Sequence, residues 1–267
     1  PAWSLRMLAS YMESEGDSDH DNSAGSSALD RKMAGWDISR AHFYGDVQRP
    51  IFVQLPRQPG ESQPEVKRLL KTMYGTQDAS HVWQGHYTQT LKDAGFEPGL
   101  ASNALFFHQQ RCIRCLVHGD DFLAVANDEG LKYLDSVLQK AYALKRLGTL
   151  GDGPGEDQEL SFLNRIVRLT KDDEGRRMIE IHADPRHSEL VVQQLGLDKA
   201  KGADVPSRKM TAADVEAPLI PLTMEENSLF RSALMRCAYL SQDRPDIQEA
   251  VKSLSRWMVK PNQLAMQ

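Results

Sequence analysis

The sequence reads as an α+β chain, because strand-like and helix-like segments alternate through its middle while helices dominate its last third. A second observation sharpens this. Two apolar runs, Cys115–His118 and Phe122–Ala126, flank Gly119-Asp120-Asp121, and tight turns favour Gly and Asp, so the centre of the chain is an antiparallel hairpin.

The 267 residues suffice for one large domain or two small ones with a real core. Hydrophobic residues make up 40% and charged ones 26%, ordinary values that exclude disorder throughout. No apolar run approaches the roughly 18 residues of a membrane span, and Pro1-Ala2-Trp3-Ser4-Leu5 is not a signal peptide. The absent initiator Met points to a piece of something longer. A net charge of −5 argues mildly against nucleic-acid binding, which needs Lys and Arg against phosphates. Part of that excess is local, in Glu13, Glu15, Asp17, Asp19, Asp21 and Asp30. Three cysteines form no disulfide framework and fit a reducing compartment. Cys112 and Cys115 have CxxC spacing, but both fall in the strand-like run Cys112–Val117. There they would point to opposite faces about 10 Å apart, so they read as two strand cysteines rather than metal ligands.

In chain order, residues 12–31 are rich in Ser, Gly and Asp without periodicity and read as a flexible acidic insertion. Lys32–Ile38 is a short apolar stretch containing Asp37, and Ile51–Leu55 is a strand closed by Pro56. A helix begins at Asp78 as N-cap, runs through Trp83, Tyr87 and Leu91, and ends at Gly95. Ala104–His108 is strand-like. After Asp128 a helix places Leu131, Leu134, Leu138 and Ala141 on one face. Phe162–Leu169 and Met178–His182 bracket a second hairpin around Lys171–Gly175. Asp184-Pro185 opens a helix that closes at Gly196. Thr223-Met224-Glu225-Glu226 is a capping box, and Asp246–Val259 carries Ile247, Val251, Leu254 and Met258 at helical spacing.

Taken alone, the acid pair at the hairpin tip is explained by turn chemistry. The alternative is a metal site, since adjacent carboxylates repel one another unless a cation compensates and Mg²⁺ selects hard oxygen ligands. Asp37, at the end of an apolar strand, strengthens that alternative. If its strand lies beside the hairpin, Asp37 and Asp120 converge at one sheet edge, where two ions about 3.5–4 Å apart support phosphoryl transfer. Spacing alone does not establish the convergence.

These residues sit within a wider resemblance to the reverse transcriptases of copia-type LTR retrotransposons. Trp36-Asp37-Ile38-Ser39-Arg40-Ala41-His42-Phe43-Tyr44-Gly45, with Ile51–Pro56 after it, resembles the family's first catalytic motif. Leu70–Trp83 resembles "Leu-Tyr-Gly-Leu-Lys-Gln-Ala-Pro-Arg-x-Trp", and His118-Gly119-Asp120-Asp121 stands where the family has "Tyr-Val-Asp-Asp". Leu144–Gly148 and Ser161–Asn164 are similar to "Met-Lys-Asp-Leu-Gly" and "Tyr-Phe-Leu-Gly". Phe230–Ser232, Tyr239-Leu240 and Asp243–Ile247 are similar to "Tyr-Arg-Ser", "Tyr-Leu" and "Thr-Arg-Pro-Asp-Ile". Six motifs in the family's order cover residues 33–261.

The resemblance implies a right-hand polymerase palm, an antiparallel sheet with helices packed on one face, followed by a helical thumb, with the fingers largely missing. It divides the chain into 1–32 (a pre-palm helix over Trp3–Ala9 plus the acidic insertion), a palm over 33–183, and a thumb-like region over 184–267. It implies RNA-directed DNA polymerase activity, with Asp37 and Asp120 as ligands of two Mg²⁺ ions (Mn²⁺ as a substitute), Asp121 as a supporting acid and the Ile38 carbonyl as a further ligand. Tyr74 and Gly75 would border the nucleotide pocket, and Phe162–His182 would grip the primer. Lys145, read as lying near a helix end, would protonate pyrophosphate. RNA template, DNA primer, deoxynucleoside triphosphates and the rest of a Pol polyprotein, including RNase H and integrase segments not seen here, are the implied partners. The implied location is a cytoplasmic virus-like particle, with the nucleus as an alternative.

The departures shape the expectations. His42 replaces the aromatic ring that excludes a ribose 2′-hydroxyl. Gln77 and His81 stand in place of a Lys and an Arg near substrate phosphates. Gly119 gives the "Gly-Asp-Asp" of RNA-dependent RNA polymerases. The lost basic residues and missing fingers keep a second reading open, a decayed retroelement fragment that folds and binds nucleic acid without polymerising. A metal-dependent nuclease also uses paired acids, but it does not explain the motifs around Tyr74 and Arg244. The cluster Lys67-Arg68-Lys71 reads equally as a phosphate contact or a solvated face.

Overall fold

Period-two alternation of apolar residues requires a two-faced sheet, and that sheet organises the first part of the chain. The computed structural model describes residues 2–13, 31–57, 64–203, 205–206, 211 and 218–266; most of the expected acidic insertion lies outside the described residues. The chain divides into two compact units, Pro1–Phe162 with Val167–Ile181, and Leu163–Ile166 with His182–Gln267.

In the first unit, helix α1 (Ala2–Glu13) precedes strand β1 (Lys32–Ile38), and a two-stranded ribbon pairs β2 (Phe52–Gln54) with β3 (Val66–Arg68). Helix α2 (Ala79–Asp93) leads to β4 (Glu97–Pro98), β5 (Leu105–His108), β6 (Ile113–His118) and β7 (Asp121–Ala126). Helix α3 (Asp128–Ala141) and β8 (Leu144–Leu150) follow. The main sheet has the order β4-β5-β6-β7-β1-β8, with antiparallel neighbours throughout. A three-stranded sheet has the order β11-β10-β9, formed by β9 (Glu159–Phe162), β10 (Arg165–Lys171) and β11 (Arg177–Ala183).

One face of the main sheet presents Trp36 and Ile38 of β1, Cys115 and Val117 of β6, and Phe122 and Ala124 of β7. These bury against Trp83, Tyr87 and Leu91 of α2 and Leu131, Leu134 and Leu138 of α3. The spacing of those helix residues puts them on one side of each helix, as the sequence predicts. Asn127 caps α3 by accepting the Gly130 amide at 2.9 Å. Asp78 holds the N-cap position of α2 but makes no side-chain cap bond; its Oδ2 lies 3.7 Å from Arg49.

The second face differs from expectation, because it is also partly covered. Helix α1 packs on β6 and β7 and buries Leu5, Leu8 and Met12. Its Tyr11 ring lies between the guanidinium groups of Arg114, 3.6 Å from the ring centroid, and Arg31 at 4.2 Å. Each of the three buried apolar chains contributes about 1.5–3 kcal/mol relative to exposure, so the docking does not depend on the cation–π pairs alone.

Two strand expectations are corrected by backbone sterics. Phe162–Leu169 is not one strand: Leu163 and Asn164 have φ of 51° and 58° and turn the chain between β9 and β10. Two successive positive φ values are those of a type I′ hairpin turn. Cys112 is likewise not in a strand; its φ of 50° places it in a turn ahead of β6, whereas Cys115 is buried within β6.

In the second unit, α4 (Arg186–Gln194) starts after Asp184, whose Oδ1 accepts the Arg186 amide at 3.0 Å, and Gly196 follows it with φ 65°. Helix α5 (Met224–Leu240) carries the expected capping box between Thr223 and Glu226. The expected helix over Asp246–Val259 is shorter: a 3-10 turn over Pro245–Ile247 leads into α6 (Gln248–Ser255), and α7 (Gln263–Met266) follows. Leu222, Phe230, Leu234 and Val251 form this unit's core, with Ile247, Trp257 and Met258 packed against it. Buried Arg165 pairs with Asp243 and donates to Gln242 at 2.9 Å, and the Tyr239 hydroxyl donates to the Asn164 carbonyl at 2.5 Å.

Gly148 in β8 has φ of 142°, and a Cβ there would lie 2.5 Å from Asp157 Oδ2, which already accepts the Thr149 amide at 3.0 Å. Gly148→Ala should therefore cost about 1–3 kcal/mol through strain and displacement of that carboxylate. Urea unfolding monitored by circular dichroism measures it, and an unchanged midpoint would contradict the assignment.

Candidate active site

Asp37 ends β1 and Asp121 begins β7, and the two are direct partners in the antiparallel register. The Ile38 amide donates to the Asp120 carbonyl at 2.8 Å, which makes Asp37 and Asp121 a non-hydrogen-bonded pair. In such a pair the Cα atoms lie about 4.5 Å apart and the side chains leave the sheet on the same face, here the face opposite α2 and α3. On β8, Lys145 is the partner of Asp37, so Asp121, Asp37 and Lys145 form a row across three strands. Lys145 therefore lies in a strand beside an acid rather than near a helix end.

Asp120 occupies the second position of the two-residue loop between His118 and Asp121, which are themselves a register pair. Gly119, the first position, has φ of 64°, and a Cβ there would meet nothing within 4 Å. Glycine is needed for the backbone angle and not for space, as at the first central residue of a type II′ turn.

Three further contacts assemble the rim. Arg40 turns the chain after β1 with a φ of 56°, leading into the 3-10 turn Ala41–Tyr44. Buried Thr72 staples the Tyr74 loop to that turn: its amide donates to the Gly45 carbonyl at 2.9 Å and its hydroxyl to the His42 carbonyl. Tyr74 then packs against the His42 ring, with centroids 4.4 Å apart and the planes tilted by 35°, and its hydroxyl reaches Asp120 Oδ2 at 3.4 Å. Gly75 follows with φ 92°. Gln77, next along, receives a hydrogen bond from Arg49 at 3.4 Å.

The electrostatics reflect this crowding. Burial, then the charges of Asp120 and Asp37, push the Asp121 carboxyl up to about 6. Burial raises the Tyr74 phenol, and the charge and hydrogen bond of Asp120 and the charge of Asp37 add to it. Both groups register negative charge concentrated at one point of the sheet. Among the described residues no three His, Cys, Asp or Glu side chains form a ready-made metal cluster. The chemistry of the donor set nonetheless suits a hard divalent cation: carboxylate oxygens on neighbouring backbone positions, repelling one another without compensation. Ile38 is buried and contacts the site through its amide.

Sequence reading missed the polar contacts of two residues. The Trp83 indole N–H donates to the Gly119 carbonyl at 2.7 Å, so α2 holds the hairpin tip directly. Tyr44 accepts the Ala143 amide at 2.7 Å on its hydroxyl, tying the turn after β1 to the entry of β8. Trp83 reads in the sequence as a helix core residue at the end of a motif and Tyr44 as part of the motif around Asp37, and periodicity reports burial without reporting what a polar side-chain atom touches. Of the cluster Lys67-Arg68-Lys71, Lys67 pairs with Glu65 and Lys71 with Asp46.

An antiparallel sheet backed by two helices, with acids grouped where β1 meets the β6–β7 hairpin, defines an α+β chain with an acid-lined candidate active site. The profile of the family described as reverse transcriptase (RNA-dependent DNA polymerase) matches residues 23–159. The chain belongs to that family, and within it to the copia-type retrotransposon sequences whose motif order it shares. It is 24% identical over 244 residues to the "Retrovirus-related Pol polyprotein from transposon RE1" of Arabidopsis thaliana, covering 86% of this chain and 15% of that protein. It is 26% identical over 248 residues to the putative transposon Ty5-1 protein of Saccharomyces cerevisiae, covering 86% of this chain and 71% of that one.

The raised Asp121 fixes a sign. Between an unfolded value near 3.8 and a folded value of about 6 the native state binds the extra proton, so stability falls as pH rises through that window. Asp121→Asn should remove this slope and stabilise the metal-free protein at pH 7 by about 1 kcal/mol, discounted for partial solvent screening. Melting temperatures from pH 4 to 8 test it; a variant with the wild-type slope would locate the raised group elsewhere.

Proposed function

We propose that this chain carries the palm of an RNA-directed DNA polymerase and extends a DNA primer on an RNA template by two-metal nucleotidyl transfer. The observation that carries the proposal is the facing of Asp37 and Asp121 across β1 and β7, with Asp120 at the adjoining hairpin tip. Two Mg²⁺ ions, or Mn²⁺ in their place, held by Asp37 and Asp120 with Asp121 and the Ile38 carbonyl in support, would lower the pKa of a primer 3′-hydroxyl and neutralise the triphosphate and the leaving pyrophosphate. The protein's own share is positional. Register holds the acids at one edge, and the packed His42 and Tyr74 rings, with Gly75 and Gln77 beyond them, would border the nucleotide. Lys145, the partner of Asp37 on β8, would give a proton to pyrophosphate. Template, primer, deoxynucleoside triphosphates and other Pol segments are the proposed partners, and a virus-like particle the proposed location. The decayed-fragment reading draws on Gln77 and His81, which carry no fixed positive charge where the resembled family does.

Primer extension on poly(rA)/oligo(dT) with Mg²⁺ or Mn²⁺ decides between them. Asp120→Asn should lower incorporation by on the order of 10²–10³-fold. Equal extension by this variant and wild type would sink the proposal, and a wild type that binds the hybrid without extending it favours the fragment reading. The imidazole of His42 is smaller than the ring it replaces, so His42→Phe should raise discrimination against ribonucleotides by about tenfold. Single-nucleotide incorporation ratios measure this, and equal ratios in the two proteins count against His42 as the sugar-contacting ring.

A further inference from the structure

A two-residue hairpin tip is an unpromising place to hold a side chain still, since it has strand pairing on one side only. Asp120 sits at such a tip, yet both peptide planes flanking it are held from outside the hairpin. The plane after it is fixed by the Ile38 amide, which donates to the Asp120 carbonyl at 2.8 Å. The plane before it is fixed by Trp83, whose indole N–H donates to the Gly119 carbonyl at 2.7 Å. That carbonyl and the Asp120 amide belong to one rigid unit, so the indole sets the direction in which Asp120 leaves the turn.

The indole itself cannot drift. Trp83 is 1% exposed and wedged edge-on against Tyr87 (5.5 Å between centroids) and Tyr142 (5.1 Å), with His86 stacked beside it at 6.0 Å. Tyr142 is held in turn by Thr90 at 2.8 Å and His86 at 3.0 Å. Gly119, with its positive φ and no neighbour at its Cβ position, gives the tip no side-chain packing of its own there. Apolar packing explains a buried ring at position 83 but not a donor aimed at the hairpin; phenylalanine would fill much of the same space.

We infer that Trp83 is a positioning residue for Asp120, with its indole N–H fixing the Gly119–Asp120 peptide so that the carboxylate is pre-set for a divalent cation. This rests on the metal-dependent reading of the acids, and the test separates the two. Trp83→Phe removes the donor and keeps a ring, and replacing Trp83 by β-(3-benzothienyl)alanine removes only the N–H at nearly constant shape. Mn²⁺ affinity of the full chain is read by electron paramagnetic resonance for wild type, both Trp83 variants and Asp120→Asn. Amide exchange at Ile38 and dNTP kinetics accompany it.

The expected result is Mn²⁺ binding lost in Asp120→Asn and weakened about tenfold in the benzothienyl protein, the size of one lost hydrogen bond. Ile38 should exchange faster, with kcat reduced and KM for dNTP held within about twofold. A purely structural role would lower the melting temperature and leave Mn²⁺ affinity and the kcat/KM split of the folded benzothienyl protein at wild-type values; that outcome overturns the inference while the metal reading stands. If Asp120→Asn binds Mn²⁺ like wild type, the metal reading fails instead. In that case unchanged Ile38 exchange overturns the positioning role, and faster exchange retains its structural half.

Discussion

Everything at the candidate site follows from the register of β1 against β7. Alternation along a strand is strict, so the same register that points Asp37 and Asp121 to one face sends Trp36, Ile38 and Phe122 to the other, where α2 and α3 bury them. A slip of β1 by one residue would expose Trp36 and Ile38 and drive the Asp37 carboxylate into the core, at a cost of several kcal/mol. The apolar core thereby fixes an unfavourable arrangement on its far side. Asp121 reports the result in its raised affinity for a proton. The carboxylates are held together by forces that have nothing to do with carboxylates.

A second layer of constraint comes from the aromatic cluster between α2 and the sheet. Tyr44, Trp83, His86, Tyr87 and Tyr142 meet within 4.9 to 6.3 Å, and two of them send a polar side-chain atom out to the acid-lined edge. Trp83 holds the β6–β7 tip and Tyr44 the start of β8, so the ends of strands that would otherwise fray are tied to the best-packed part of the unit. Similar logic operates on Trp36, whose buried indole reaches Asp135 at 2.9 Å while Arg146 pairs with that same carboxylate and lowers it. Aromatic residues with one polar atom serve here as both filler and strut.

Much of the framework was legible in the sequence. The helices after Asp78 and Asp128, the hairpin around Gly119 and the capping box at Thr223 emerge from periodicity and local turn chemistry, which depend on neighbours a few residues away. The resemblance went further, setting Asp37 alongside the hairpin acids, a pairing across 84 positions that spacing could not supply. What escaped was of two kinds. Left-handed backbone at Leu163, Asn164 and Cys112 broke runs that looked like continuous strand, because neither Leu nor Cys advertises a positive φ. The contacts of Trp83 and Tyr44, and the strand setting of Lys145, arise from packing between distant elements, which a one-dimensional pattern does not encode.

Charge is where the proposed reading and the bare chain meet. A net charge of −5 is a poor start for a protein that handles polyanions. Many cations here are also committed to internal acids: Lys32 to Asp128 and Glu156, Arg146 to Asp135, Arg165 to Asp243 and Arg244 to Asp246. Such pairs contribute little to a field felt by an incoming phosphate, since each is locally neutral. On the proposed reading, attraction for a triphosphate therefore falls to divalent ions gathered by the acids themselves. Crowding Asp37, Asp120 and Asp121 then has a second use: on that reading a bound cation would relieve the repulsion that, after burial, adds to the rise of Asp121. On that reading Gln77 and His81, which carry no fixed positive charge, leave a larger share of the attraction for a triphosphate to those ions.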